Sequence, residues 1–159
     1  MRKYTLSKSD TSEIVELLRS RWPQSAVPKK PKTLQAVELE EKSSILIGED
    51  LLAIKIDDQV LPLLAKEDAL QSFPSVTVDM GAVKFVCNGA NVMRPGIVGM
   101  DRFKKDEIVV VKESTYGKYL AVGLALVDSE EAEKMGKGPV VENRHHVSDE
   151  FWKAYKENP

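Results

Sequence analysis

The sequence predicts an α+β protein in two parts: a small helix-plus-strands unit, then a closed or nearly closed β-barrel with a helix across one end. Three features carry this reading. One stretch near the start repeats apolar residues at helical spacing, the chain then switches to short apolar runs between turns, and the second half reads strand, helix, then several short strands.

The first helix is expected to start at Asp10, with Glu13 three positions on to reach back to it as in a capping box. Ile14, Val15, Leu17, Leu18 and Trp22 recur at helical spacing, and Pro23, which has no N–H to give, ends the run. Pro28-Lys29-Lys30-Pro31-Lys32 reads as an extended basic loop, either a solvated linker or a phosphate contact. Val37 and Leu39 then alternate with polar neighbours. The runs Ile45 to Ile47, Leu51 to Ile56 and Val60 to Leu64 follow, separated by the turn-like Glu41-Lys42-Ser43, Gly48-Glu49-Asp50 and Asp57-Asp58-Gln59. That is a meander of short strands. A brief helix around Lys66 to Gln71 leads to Phe73-Pro74, which divides the chain into residues 1–72 and 73–159.

In the second part Val76 and Val78 alternate as a short strand, and Asp79 sits where a helix cap would, with Ala82, Val83, Phe85 and Val86 assigned to one inner face. Gly89 is a natural helix end, because glycine enters the left-handed region without a Cβ penalty. Val92-Met93 and Pro95-Gly96-Ile97 read as a strand broken by a rigid corner with little side chain. Ile108 to Val111 is a β-branched strand, Thr115-Tyr116-Gly117 a turn, and Tyr119 to Val127 a long strand in which Gly123 marks a bulge or a close backbone approach. Ser129 is expected to cap a short helix through Lys134. Gly136-Lys137-Gly138 leads to a last short strand at Val140-Val141, and Ser148 to a terminal helix holding Phe151, Trp152 and Tyr155.

Composition limits the function. With 159 residues and 42% hydrophobic side chains, the chain can bury a core without disulfides or metals. Its 23 basic and 25 acidic residues leave a net charge of −2, and the balance is the same in both parts. Coating nucleic acid non-specifically needs many phosphate-neutralising cations, so bulk charge argues against it while leaving room for a local basic groove. Cys87 is the only cysteine, which excludes an internal disulfide and a thiolate zinc cage, and its apolar neighbours mark it as a core residue. The start MRKYTLSKSD has no apolar core of a secretory signal, and no apolar run approaches the length of a membrane span, so a cytoplasmic location is expected.

Three ordered segments carry a resemblance. Val78-Asp79-Met80-Gly81-Ala82, Gly89-Ala90-Asn91-Val92-Met93-Arg94-Pro95-Gly96-Ile97 and Lys137-Gly138-Pro139-Val140-Val141-Glu142-Asn143 together resemble the PUA domain, an RNA-binding module. The match extends through Asp106 and Ala121-Val122-Gly123, from about Ser75 to Trp152. The ending, His145-His146 with Asp149 and Trp152, is similar to the malignant T-cell amplified sequence branch and its archaeal counterparts, in which a small N-terminal domain precedes the PUA module. The resemblance implies a pseudo-barrel of about six strands. It also implies RNA binding in a groove beside the first barrel helix, formed by the Gly-rich turn and the final strand. Its members act in RNA modification or, in this branch, in translation initiation, reinitiation or ribosome recycling.

The residues themselves suit such a role. A helix end followed by a Pro-Gly corner bares main-chain groups, so Gly89, Asn91, Pro95 and Gly96 can admit phosphate, ribose or a base edge. Gly89 and Gly96 also serve the turn geometry whether or not RNA binds. Met93 and Ile97 offer apolar faces to an unstacked base, with barrel core as the other reading of Met93. Arg94 suits phosphate pairing or stacking, or is an incidental surface charge; Lys84 is a backbone contact or a solvated face. Arg144 and His145 leave the last strand near the same turn, where the histidine pair also suits a structural role.

Catalytic signatures are missing. There is no G-x-S-x-G elbow, phosphate-binding P-loop or dinucleotide fingerprint, and the adjacent histidines do not share a strand face for a metal. The expectation is a non-enzymatic RNA binder, without cofactor or metal, that recognises tRNA or ribosomal RNA and meets a ribosomal subunit or translation factor through residues 1–72. A protein-interaction scaffold and an accessory RNA-binding subunit of a modification enzyme are the alternatives.

Overall fold

Ser7, not Asp10, starts the first helix. In the computed structural model, which describes residues 2–29, 33–40 and 42–157, helix α1 spans Lys8–Arg21 and the Ser7 hydroxyl accepts the Asp10 N–H at 3.0 Å. Asp10 instead lies in the first turn, where its charge suits the positive end of the helix. Lys30, Pro31 and Lys32 of the basic loop, and Glu41, lie outside the described residues. Helix α1 buries Thr11, Ile14, Val15 and Leu18. Behind it Trp22 donates its indole N–H to the Val60 carbonyl at 2.8 Å and meets Phe73 edge-on, with ring centroids 5.2 Å apart.

The meander expected after the basic loop is present and carries one more strand. Strands β1 (Arg2–Thr5), β2 (Gln35–Glu38), β3 (Ser43–Ile47), β4 (Leu52–Ile56) and β5 (Gln59–Pro62) form an antiparallel sheet in that order. Strand β1 is exposed along its length and is held by ladder bonds to β2 and by an Arg2–Glu38 ion pair at 2.9 Å. Its residues Arg-Lys-Tyr-Thr have no apolar alternation, so periodicity could not reveal it. Helix α2 (Glu67–Leu70) buries Leu70 and connects to the second sheet.

That sheet runs in the order β7–β11–β10–β9–β6–β8, with β6 at Ser75–Val78, β7 at Val92–Met93, β8 at Ile97–Met100, β9 at Ile108–Glu113, β10 at Tyr119–Ala125 and β11 at Pro139–His146. Only β6 and β9 pair in parallel. It is the nearly closed pseudo-barrel, and helix α3 (Val83–Val86), which follows a 3₁₀ turn at Met80–Ala82, lies across one end. Strand β11 is longer than the expected Val140-Val141, since its polar half pairs with β10 through Ala121↔His146. The ladder shifts between Val122 and Gly123, where an added Cβ would run into the Glu142 carbonyl oxygen. Gly123 is therefore both a bulge and a close approach.

Strand β9 explains its own sequence. Val109 and Val111 point into the barrel core, while Ile108 and Val110 pack with the core beneath the first sheet. A strand buried on both faces reads as an unbroken apolar run. Helix α5 (Glu150–Glu157) completes that shared core with Phe151 and Ala154. Two caps differ from expectation. Helix α4 (Ser129–Lys134) has Asp128 at its cap position, while the Ser129 hydroxyl accepts the Phe103 N–H; α5 is capped by Asp149, which accepts the Trp152 N–H at 2.9 Å, with Ser148 at φ +69°. Cys87 is partly buried against the barrel core, and burial raises its thiol pKa. Among the described residues no helix is long and apolar enough to cross a membrane.

Candidate nucleic-acid interface

The surface around the Gly-rich turn is built outward from Asp79. Its carboxylate accepts the Ala82 N–H at 3.0 Å and fixes the 3₁₀ turn that leads into α3. The helix stops after one turn. Gly89 adopts φ +94°, and a Cβ there would come within 3.3 Å of the His146 ring. The released chain is pinned by one side chain: Asn143 on β11 donates to the Val86 and Ala90 carbonyls, both at 3.0 Å. Its backbone N–H donates to the Asn91 side chain at 3.0 Å. Asn91 therefore helps hold the turn against the final strand while staying exposed.

The Pro-Gly corner is clamped from both ends. The Arg94 N–H donates to the Gly138 carbonyl at 2.8 Å, and the Asp79 N–H donates to the Gly96 carbonyl at 2.9 Å. Gly96 sits against Ala82, where an added Cβ would be at 3.3 Å. Lys84 and Pro95 are exposed on this surface, with Gly89 and Gly96 partly so. Thus Lys84, Gly89, Asn91, Met93, Pro95 and Gly96 are brought together.

The remaining expected site residues are placed otherwise. Ile97 is 7% exposed and belongs to the barrel core, while the next residue, Val98, turns outward at 60% exposure. Met93 is 48% exposed, which overturns its reading as core and leaves it available to a ligand. Arg94 is a latch: Nε donates to the Ala132 carbonyl at 2.7 Å and Nη1 to the Ile97 carbonyl at 3.2 Å, tying α4 to the corner. Arg144 faces the crevice toward the first sheet, among Glu40, Asp57, Glu150 and Phe151, and its Nη1 lies 3.4 Å from Glu142. Acidic neighbours on several sides make that crevice a poor place for phosphate.

His145 is fully buried, so it cannot touch RNA in this conformation. Its Nε2 accepts the Leu64 N–H at 3.1 Å, which leaves the ring proton on Nδ1, 2.8 Å from the Asp149 carboxylate. The ring also meets Phe151 edge-on at 5.9 Å. This histidine bolts the second sheet to the first. Asp149 accepts the N–H groups of His146 and Trp152 as well; burial pushes its carboxyl up, but these bonds and His145 outweigh that and hold it below the usual aspartate range.

One candidate escaped the sequence reading. Phe85 is 58% exposed, with the Lys84 ammonium 5.1 Å from its ring centroid. Helix α3 is a single turn that packs Val83 and Val86 inward, and Phe85, about 100° round the helix from Val86, falls outside that face. The signal was the neighbouring Val83 and Val86, which suffice as the inner pair at i and i+3. Met80, at 46% exposure, joins Phe85, Met93 and Val98 as surface apolar groups around the corner. Flat and flexible apolar groups beside an ammonium suit an unstacked base and its phosphate; the main chain is less bare than expected, since the Gly89, Ala90 and Arg94 N–H groups donate within the protein.

Comparison with known proteins places these features in a family. Residues 74–147 match the PUA domain. An uncharacterized protein of Methanocaldococcus jannaschii is 36% identical over 95% of each chain. Translation machinery-associated protein 20 of Saccharomyces cerevisiae is 33% identical over 79% of this chain and 74% of its own length. Malignant T-cell-amplified sequence 2 of Homo sapiens is 32% identical over 97% and 91%. Among solved structures, a hypothetical protein of Pyrococcus horikoshii covers 96% of this chain and 99% of its own, with a TM-score of 0.80 at 32% identity. A chain from an H/ACA ribonucleoprotein bound to a substrate RNA covers 58% of this chain and 28% of its own length, with a TM-score of 0.50 at 26% identity. The matches reach past the barrel into the helix and sheet that precede it, and the chain belongs to the PUA-domain proteins, in the branch of the malignant T-cell-amplified sequence proteins and translation machinery-associated protein 20.

Proposed function

We propose that this chain is a non-catalytic RNA-binding protein of translation, which holds structured RNA, from tRNA or the ribosome, against the surface around Gly89 to Gly96. The observation that carries the reading is the Asn143 lock. One side chain spends its donors on keeping a glycine turn open beside exposed Lys84, Phe85 and Met93. Such a surface gives a base a stacking partner and gives the neighbouring phosphate a cation. Initiation, reinitiation or recycling is the stage favoured by the branch, with a ribosomal subunit or translation factor meeting residues 1–72. The similar chain within an H/ACA ribonucleoprotein bound to a substrate RNA and the relatives with translation-machinery names support the same direction.

Electrophoretic shift at low salt with unfractionated tRNA and with isolated ribosomal subunits tests the reading. The wild-type chain is expected to shift at least one of them. The combined Lys84→Ala and Phe85→Ala variant is expected to bind about tenfold or more weakly at unchanged melting temperature, since base–aromatic stacking contributes about 1–3 kcal/mol. Absence of binding to both RNAs would refute it.

A further inference from the structure

A second aromatic–cation pair stands at the same end of the barrel, on the β9–β10 hairpin. Tyr116 is 75% exposed, the most exposed of the large hydrophobic side chains described, and the Lys118 ammonium lies 5.9 Å from its ring centroid. Hydrogen bonds fix where this tip lies. The Ser114 N–H donates to the Val78 carbonyl at 3.0 Å, and Val78 pairs with Glu113 on one side and Ile97 on the other. The next residue, Asp79, caps the turn that leads to Lys84 and Phe85 and also binds the Gly96 carbonyl. Hairpin tip, capped turn and Pro-Gly corner therefore meet around the end of one short strand.

The tip is held rigidly. Glu113 is 3% exposed, and its carboxylate accepts the N–H of Tyr116 at 2.6 Å and that of Gly117 at 3.1 Å. Gly117 completes the reversal at φ +69°. Burying a carboxylate is costly unless it is well hydrogen-bonded, and here it is spent on the two residues at the tip. Reversing the chain needs no aromatic ring there. An ordered turn that projects a tyrosine into solvent beside a lysine is pre-organised for a flat ligand with a negative charge next to it.

We infer that the Tyr116–Lys118 tip is a second RNA contact, at which an unpaired base stacks on Tyr116 while Lys118 meets the neighbouring phosphate. The inference rests on the reading of the Gly89–Gly96 surface as an RNA site and extends it: the bound RNA is single-stranded where it passes from Phe85 to the hairpin. An A-form duplex cannot offer base faces to two separate rings, because its bases are stacked on one another.

Fluorescence anisotropy with two labelled RNAs tests this on the full chain: a blunt hairpin, and the same hairpin extended by a mixed-sequence unpaired tail. The wild-type chain is expected to prefer the tailed RNA. Tyr116→Ala is expected to lose on the order of tenfold on the tailed RNA and nothing on the blunt one, while Tyr116→Phe keeps the wild-type affinity. Glu113→Ala, which removes the acceptor that holds the tip, is expected to fall between them. If Tyr116→Ala binds the tailed RNA like wild type while Phe85→Ala is weakened, the second contact is refuted and the corner surface stands. If the wild-type chain binds neither RNA, both fall. A Tyr116→Ala defect seen only with anionic phosphatidylserine vesicles would assign the tip to a membrane surface and overturn the inference.

Discussion

His145 has its two ring nitrogens committed to different parts of the molecule, the Leu64 N–H and the Asp149 carboxylate. Replacing it with alanine leaves a buried backbone donor and a carboxylate short of a partner, and opens a cavity beside Phe151. His145→Ala is expected to cost about 2–4 kcal/mol in urea denaturation, with RNA affinity per folded molecule little changed. Asp149 sets an acid limit. Its folded-state pKa lies below the unfolded one, so its contribution is complete above the ordinary aspartate range and is lost as pH falls through the folded value. Melting temperature of Asp149→Asn against pH is expected to be lower than wild type near neutrality and to converge on it in acid; parallel curves would contradict this. Arg94 was legible in the sequence only as a surface cation. Its partners, the Ala132 and Ile97 carbonyls, include one 38 residues away, which no local pattern can show. Arg94→Ala should therefore lower the urea midpoint by the equivalent of about 1–3 kcal/mol, and leave the salt slope of RNA binding unchanged.

At the scale of elements, the order of strands and helices was readable because each alternation or apolar run meets a sheet face, with β9 the clearest case. The misreadings arise where an element is too short or too polar to carry an apolar period. Helix α3 is one turn long and packs only its Val83–Val86 side, which leaves Phe85 at the surface, and strand β1 carries no apolar alternation at all. The Asn143 lock was also out of reach, since it depends on the register of β11 against a turn more than fifty residues earlier. Asn143→Ala removes the pin for the Val86 and Ala90 carbonyls. It is expected to weaken RNA binding several-fold with a stability loss of about 1 kcal/mol, and to raise amide exchange across residues 86–91. Gly89→Ala is expected to cost about 1–2 kcal/mol through its positive φ, besides crowding His146.

The whole molecule is two sheets that share a core. Ile108, Val110, Phe151 and Ala154 from the second part complete the core beneath the first sheet, and Arg21 reaches the Asp106 carbonyl at 3.1 Å. We propose the division at residues 72 and 73 as one between interdependent units, so a fragment of residues 73–159 is expected to melt well below the full chain. A net charge of −2 argues against general polycation behaviour, so the proposed RNA binding rests on a few placed groups. The salt dependence should accordingly be shallow, with a log–log slope of about −1.4 to −1.8, since Lys84 and Lys118 each add a phosphate contact of about −0.7 to −0.9. Amide chemical-shift mapping of the full chain titrated with unfractionated tRNA tests the central claim most directly. The account predicts perturbations concentrated on residues 84–98, the Asn143 side-chain amide and the 114–118 turn. Perturbations confined to the first sheet and helix α1, with that barrel end silent, would contradict it.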